Sequence, residues 1–144
     1  MKKLLYLFVA AAILISCESN EDDPSSDPII GKWQVTSYLE NGQEQATDCD
    51  KKSIVTFNSD GTFSNNSFYT DDSGNCVSDS DSYEANWKNI GNSTYSITDD
   101  DEVDEDDLET VKIEFSENNS VFSITTIEEY NGTINTYKDI YKKI

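Results

Sequence analysis

Three cysteines, at positions 17, 49 and 76, are the most reactive side chains in a 144-residue sequence that has no histidine. The lack of histidine removes the commonest general base and the commonest zinc ligand together. No C-x-x-C spacing joins any two of the cysteines, so a redox or metal-binding pair has no motif to stand on. Once Cys17 is set aside, Cys49 and Cys76 form an even pair, read here as a disulfide between the loop before a second strand and the loop after a third. Closing a loop of that size stabilises the fold by roughly 3 to 3.5 kcal/mol in chain-entropy terms. Carboxylates are plentiful, 29 in all, so any two could approach each other by chance and none can be singled out as an acid–base pair. The run DDDEVDEDD from Asp99 to Asp107 offers hard oxygen ligands, as do Asp71, Asp72, Asp79 and Asp81. The run lacks the alternating spacing and the glycine of an EF-hand loop and is read as solvated charge, and a weak cation site forms only if the two acidic loops meet at one barrel end. There is no nucleophile elbow and no phosphate-binding glycine loop. The chain is therefore read as noncatalytic, with no catalytic residue, no metal and no cofactor assigned.

Cys17 has a different context. Behind Met1, Lys2 and Lys3, residues Leu4 to Ser16 carry no charge. That stretch is shorter than the roughly 20 apolar residues that span a bilayer, and it matches the core of a secretory signal. Leu14, Ile15, Ser16 and Cys17 resemble the lipobox of bacterial lipoproteins, with Ile15 where a small residue is commoner. The resemblance implies cleavage before Cys17 and lipidation of its thiol, and two or more acyl chains hold a protein firmly to a membrane. The following ESNEDDPSSDP has no apolar side chain to offset the entropy of ordering, so it is expected to be a flexible tether. Its acidic cluster also resembles the export signal of some surface-exposed lipoproteins. The expected divisions are a signal peptide over 1–16, a lipidated and acidic tether over 17–28, and one domain over 29–144, located at the outer membrane.

Removing residues 1–16 leaves eight of the ten lysines against 29 acids, and there is no arginine. A formal charge of −21 repels phosphate backbones, which excludes nucleic acid as a partner. The membrane is reached through Cys17 and not through a basic surface.

The elements that must position these residues are strands. Eight short stretches rich in Val, Ile, Thr, Phe and Tyr are separated by turn dipeptides: 32–40, 53–58, 62–69, 82–89, 93–98, 108–116, 120–130 and 133–143. Helix is confined to a turn or two. Register follows from placing large apolar residues on one face. A three-residue loop ending at Gly61 pairs Phe57 with Phe63, and a loop of Ile90, Gly91 and Asn92 pairs Trp87 with Tyr95 and Ala85 with Ile97. A two-residue loop at Asn118 and Asn119 pairs Phe115 with Phe122 and Ile113 with Ile124. At Asn131-Gly132, a type I′ signal carries the Phe122 face onto Tyr137 and Tyr141. It also leaves Ile127, Ile134, Ile140 and Ile144 on the other face, which requires either a bulge or an exposed apolar stripe. Eight strands joined mostly by hairpins predict an all-β, antiparallel up-and-down barrel.

The stretch IIGKWQVTSYLENG, with Gly31 and Trp33 in a Gly-x-Trp arrangement, resembles the first strand of lipocalins. The cysteine before SIVTFNSDGTF, the second cysteine and NWKNIGNSTYSIT are similar to lipocalin-like domains of small bacterial lipoproteins, over most of residues 29–144. This sequence departs from true lipocalins in having no C-terminal helix and no arginine to cover the first-strand tryptophan. The resemblance implies that Trp33 sits at the base of the barrel, and the alternation of Trp33, Val35 and Leu39 points those three inward.

The inward aromatics, also including Phe57, Phe63 and Tyr141, either fill the barrel or line a cavity for one small molecule. For the second case the candidate ligand-binding residues are Tyr83, Trp87, Tyr95, Phe115, Phe122 and Tyr137, with Trp87 partway up the wall. The function expected is a cell-envelope lipoprotein whose domain binds a small apolar or amphipathic ligand. The alternative is a solid barrel that docks onto an envelope protein or a surface polymer.

Overall fold

The computed structural model describes residues 27–79, 84–98 and 110–144. Cys17 and the tether as far as residue 26, Tyr83, Asp81 and the Asp99–Asp107 run lie outside the described residues.

Among the described residues eleven strands form: β1 (Gly31–Glu40), β2 (Gln43–Glu44), β3 (Ile54–Phe57), β4 (Thr62–Asn66), β5 (Phe68–Thr70), β6 (Cys76–Ser78), β7 (Glu84–Gly91), β8 (Thr94–Thr98), β9 (Thr110–Ser116), β10 (Val121–Tyr130) and β11 (Thr133–Lys143). A short 3-10 turn covers Asp50–Lys52. The main sheet runs β11-β10-β9-β8-β7-β4-β3-β1, and β11 pairs back onto β1 to close an antiparallel barrel of eight strands. The expected strand over 62–69 is divided, because β4 ends at Asn66 and β5 turns aside to pair with β6.

Three hairpins close in the register expected from their apolar residues. Phe57 faces Phe63 across a turn with Gly61 at φ +86°, and Asn58 N–H bonds the Thr62 carbonyl at 2.8 Å. Phe115 faces Phe122 and Ile113 faces Ile124. The β10–β11 ladder runs unbroken from Val121–Lys142 to Tyr130–Thr133, with Asn131 and Gly132 both at positive φ as a type I′ turn requires. With no bulge in that ladder, Ile127 and Ile134 stay on the outer face, 68% and 63% exposed.

The β7–β8 hairpin differs from expectation. Asn92 and Ser93 form the turn, both in the left-handed region, and the ladder slips between Asn89 and Gly91, so Trp87 faces Ile97 and Tyr95 faces Asn89. The Asn89 side chain stabilises this bulge by accepting the Gly91 N–H at 2.8 Å. Against the expected pairing the register is offset by two residues, so the faces are preserved: Trp87 and Tyr95 both remain inside, with ring centroids 6.1 Å apart.

A second bulge overturns part of the reading of the first strand. Between Val35 and Ser37 the β1–β11 register shifts, and the Thr36 hydroxyl donates to the Ile140 carbonyl at 3.1 Å. One extra residue reverses every side chain beyond it. Tyr38 and Glu40 therefore share a face with Asp139 and Tyr137, while Leu39 lies opposite Lys138 on the outer face and not inward as its alternation suggested.

The closed end of the barrel carries the N-terminal segment, the β3–β4, β7–β8 and β9–β10 turns, and the C-terminus. Trp33 and Ile29 are fully buried there, and the Trp33 Nε1–H donates to the Ile29 carbonyl at 2.6 Å. In place of the missing arginine, Lys143 lies over the Trp33 ring with its Nζ 4.9 Å from the centroid, and donates to the Pro28 carbonyl at 3.1 Å. Gly31 makes room for that lysine: at φ +134°, a Cβ there would meet Lys143 Cε at 2.7 Å. The Asp27 carboxylate accepts from the Tyr95 hydroxyl at 2.9 Å and from Asn89 Nδ2 at 2.6 Å, binding the entering chain across the barrel floor.

Candidate ligand-binding site at the barrel mouth

Register and packing divide the barrel interior into an aromatic lower half and an upper half whose inward side chains are only partly buried. The lower half is one aromatic network. Phe122 packs against Trp33 at 4.7 Å and Tyr141 at 4.6 Å between ring centroids. Phe57 bridges Phe63, Trp87 and Phe122 at 4.9, 5.8 and 6.4 Å. Phe115 closes on Trp33 and Phe122, each at 6.2 Å.

Four of the six candidate residues belong to this floor. Tyr95, Phe122 and Trp87 are buried core, and Phe115 packs against it. Trp87 is not partway up the wall: its backbone N–H bonds the Gly61 carbonyl at 2.7 Å and its Nε1–H the Asn58 carbonyl at 2.9 Å, which fixes it at the closed-end β3–β4 turn. Burial, and then Asp27, push the Tyr95 phenol well above its usual pKa, so its hydroxyl stays a donor to that carboxylate. These side chains pack together in the core.

Tyr137 is the exception. It sits in the upper half with Tyr38, the two rings parallel to within 5° and 6.3 Å apart. Cross-strand pairing builds two layers here. Tyr38, Asp139 and Ile124 lie side by side in one, and Glu40, Tyr137 and Thr126 in the next. Ile124 packs on the core below, so the first of these layers rests on the aromatic floor. Burial raises the Tyr38 pKa, and so do Asp139, Glu40, Tyr137 and Glu128, as expected for groups that face one lumen. Burial alone raises that of Asp139. Tyr38 and Glu40 escape a reading of the sequence because only the Thr36 bulge turns the end of β1 inward, whereas Asp139 lies on β11, whose register has no bulge against β10. The signal available was the unbroken inward alternation of Tyr137, Asp139 and Tyr141 on β11.

The rim of the mouth is stapled. Cys49 and Cys76 form the expected disulfide, Cα–Cα 5.4 Å, joining the loop that leaves β2 to the β5–β6 hairpin. The Ser53 hydroxyl accepts the Phe68 N–H at 2.9 Å between the same two segments. Glu44 pins β2 beside Tyr38 by accepting from the Ser37 hydroxyl at 2.6 Å, the Ala46 N–H at 2.9 Å and the Tyr38 N–H at 3.2 Å, contacts that hold its carboxyl below the usual range. Asp71 is occupied as a turn former, accepting from the Ser73 and Asn75 N–H groups. Among the described residues, no group of three Cys, Asp or Glu side chains is placed to hold a metal ion.

A family model described as a lipocalin-like domain matches residues 29–122. No curated protein matches the chain. Among solved structures it is similar to the possum milk whey lipocalin trichosurin, solved at pH 4.6 with bound 4-ethylphenol, at 11% identity over 78% of this chain and 73% of that one, TM-score 0.41. The siderocalin Ex-FABP, described as functioning through dual ligand specificities, gives 16% identity, 82% and 71% coverage and a TM-score of 0.41. The bovine lipocalin allergen Bos d 2 gives 14%, 85% and 75%, and 0.43.

Proposed function

The chain belongs to the lipocalin-like domain family, and from that membership we propose that it is a noncatalytic binding module, anchored to the outer membrane through Cys17, which holds a small amphipathic molecule in the mouth of its barrel. The observation that supports this reading is the division of the interior. The aromatic floor is packed shut, whereas the inward side chains above it, Tyr38, Tyr137 and Asp139, are only partly buried and present two aromatic faces to the lumen. Concave sites of this kind combine apolar walls with a few placed polar groups.

Native mass spectrometry of the purified protein against a panel of small amphiphiles tests the proposal. Stoichiometric one-to-one adducts that disappear in a Tyr38→Ser, Tyr137→Ser double variant support it. An absence of adducts across the panel would favour the second reading, a docking module. That reading has its own observation, the exposed outer pair Ile127 and Ile134 on the β10–β11 hairpin.

A further inference from the structure

We propose that the barrel mouth selects by charge, taking amphiphiles whose head is an organic cation, an ammonium or quaternary ammonium group, and rejecting those whose head is a carboxylate. This rests on the reading of the mouth as the binding site and specifies what enters it.

Tyr38 and Tyr137 reach the lumen from adjacent strands and stack, ring planes 5° apart. The face of such a ring is electron-rich and attracts cations, most strongly where water is partly excluded. A carboxylate accompanies each ring: Asp139 lies directly opposite Tyr38, and Glu40 directly opposite Tyr137. Among the described residues, Asp139, Glu40 and Glu128 place negative charge near the Tyr38 phenol. The nearest lysine on β11, Lys138, faces outward and pairs with Glu114 at 3.8 Å. Asp139 is half-buried, and among the described residues its carboxylate receives no hydrogen bond and no ion pair. Partial burial disfavours the ionised carboxylate, and a cation entering the mouth supplies a counter-charge. Below it, Ile124 offers an apolar surface for a tail.

A metal ion does not fit the same groups. Calcium asks for six to eight oxygens in one shell, whereas here π-faces alternate with single carboxylates and no three acids converge among the described residues. An organic cation needs one counter-charge and an aromatic wall. A fatty-acid carboxylate would meet Asp139 and Glu40 as like charges.

The test is calorimetric titration of the protein with decyltrimethylammonium, decanol and decanoate, which share one tail, at physiological ionic strength. The expected order of affinity is ammonium, then alcohol, then carboxylate. Asp139→Asn should weaken the ammonium by about tenfold, the scale of one charge-assisted contact, and leave decanol unchanged. Glu129→Gln removes the same charge from the outer face of β10 and should leave both unchanged. Tyr137→Leu should weaken the ammonium, with Tyr137→Phe retaining it. If decanoate binds as tightly as the ammonium, or if Asp139→Asn and Glu129→Gln have equal effects, charge selection is overturned while the mouth remains an apolar site. If none of the three probes binds, the binding reading falls with it.

Discussion

At Asp139 burial and use of the site act against each other. Its carboxyl is raised by burial, so between the unfolded and native values the native state holds a proton that the unfolded chain has already lost. Stability from this group is fully present below the unfolded value near 3.8 and is lost as pH rises through the native value. Asp139→Asn should therefore raise the melting temperature at pH 7 and leave it unchanged at pH 3; an equal shift at both would deny the burial cost. Trp33 is the opposite case, a side chain whose burial stabilises the fold. Trp33→Ala should cost about 3 to 5 kcal/mol in denaturant unfolding through lost contacts and a large cavity. Lys143→Ala, which uncovers the same ring, should cost about 0.5 to 1 kcal/mol. Trp33 was legible from Gly31 and its own position in the motif. Lys143 was not, because 110 residues separate it from Trp33 and only closure of the barrel puts β11 beside β1.

Among the elements, hairpins whose turns carry their own instruction could be read directly. Gly61 and Asn131-Gly132 fixed both loop length and register, and the phenylalanines on either side agreed with them. The β7–β8 hairpin misled because its glycine serves a bulge and not the turn, which falls to two non-glycine residues, Asn92 and Ser93. The β1 bulge has no comparable signal, since Thr36 is an ordinary strand residue whose hydroxyl happens to satisfy the Ile140 carbonyl. The site is consequently harder to read than the fold: the floor follows from alternation, but half of the mouth depends on that one inserted residue. Deleting Thr36 should remove the bulge and leave Tyr38 facing inward opposite Asp139 and Leu39 outward opposite Lys138, so amphiphile binding should persist; loss of binding with the far-ultraviolet spectrum still that of a β-barrel would contradict this register. The disulfide acts at the rim. Replacing Cys49 and Cys76 by serine should lower stability by about 3 kcal/mol and increase hydrogen exchange over 45–53 and 68–79 before it affects the aromatic floor.

For the whole molecule, the barrel has a direction. The described chain enters at Asp27 on the closed end, where Tyr95 and Asn89 hold it, and the mouth opens at the other. Under the proposed anchoring at Cys17, the tether would join the barrel at its closed end, the end opposite the mouth. Cys17→Ser should release the protein from the membrane fraction into the soluble fraction; retention there would remove the anchor from the account. The formal charge of −21 expected after loss of residues 1–16 has the same sign as the carboxylates of the mouth, so the surface steers cations toward it, with on-rates that fall as salt is added.

The central claim is that a ligand sits in the upper half of the barrel, on Tyr38 and Tyr137, and not among the floor aromatics. Isothermal titration with decanol, an uncharged probe indifferent to the carboxylates, tests it most directly when run on the wild type, on a Tyr38→Ser, Tyr137→Ser variant and on Trp87→Phe. The account predicts at least about a tenfold loss of affinity in the double tyrosine variant, with the melting temperature nearly unchanged, and wild-type affinity in Trp87→Phe. Undiminished binding in the tyrosine variant together with loss in Trp87→Phe would contradict it, because the ligand would then lie within the floor.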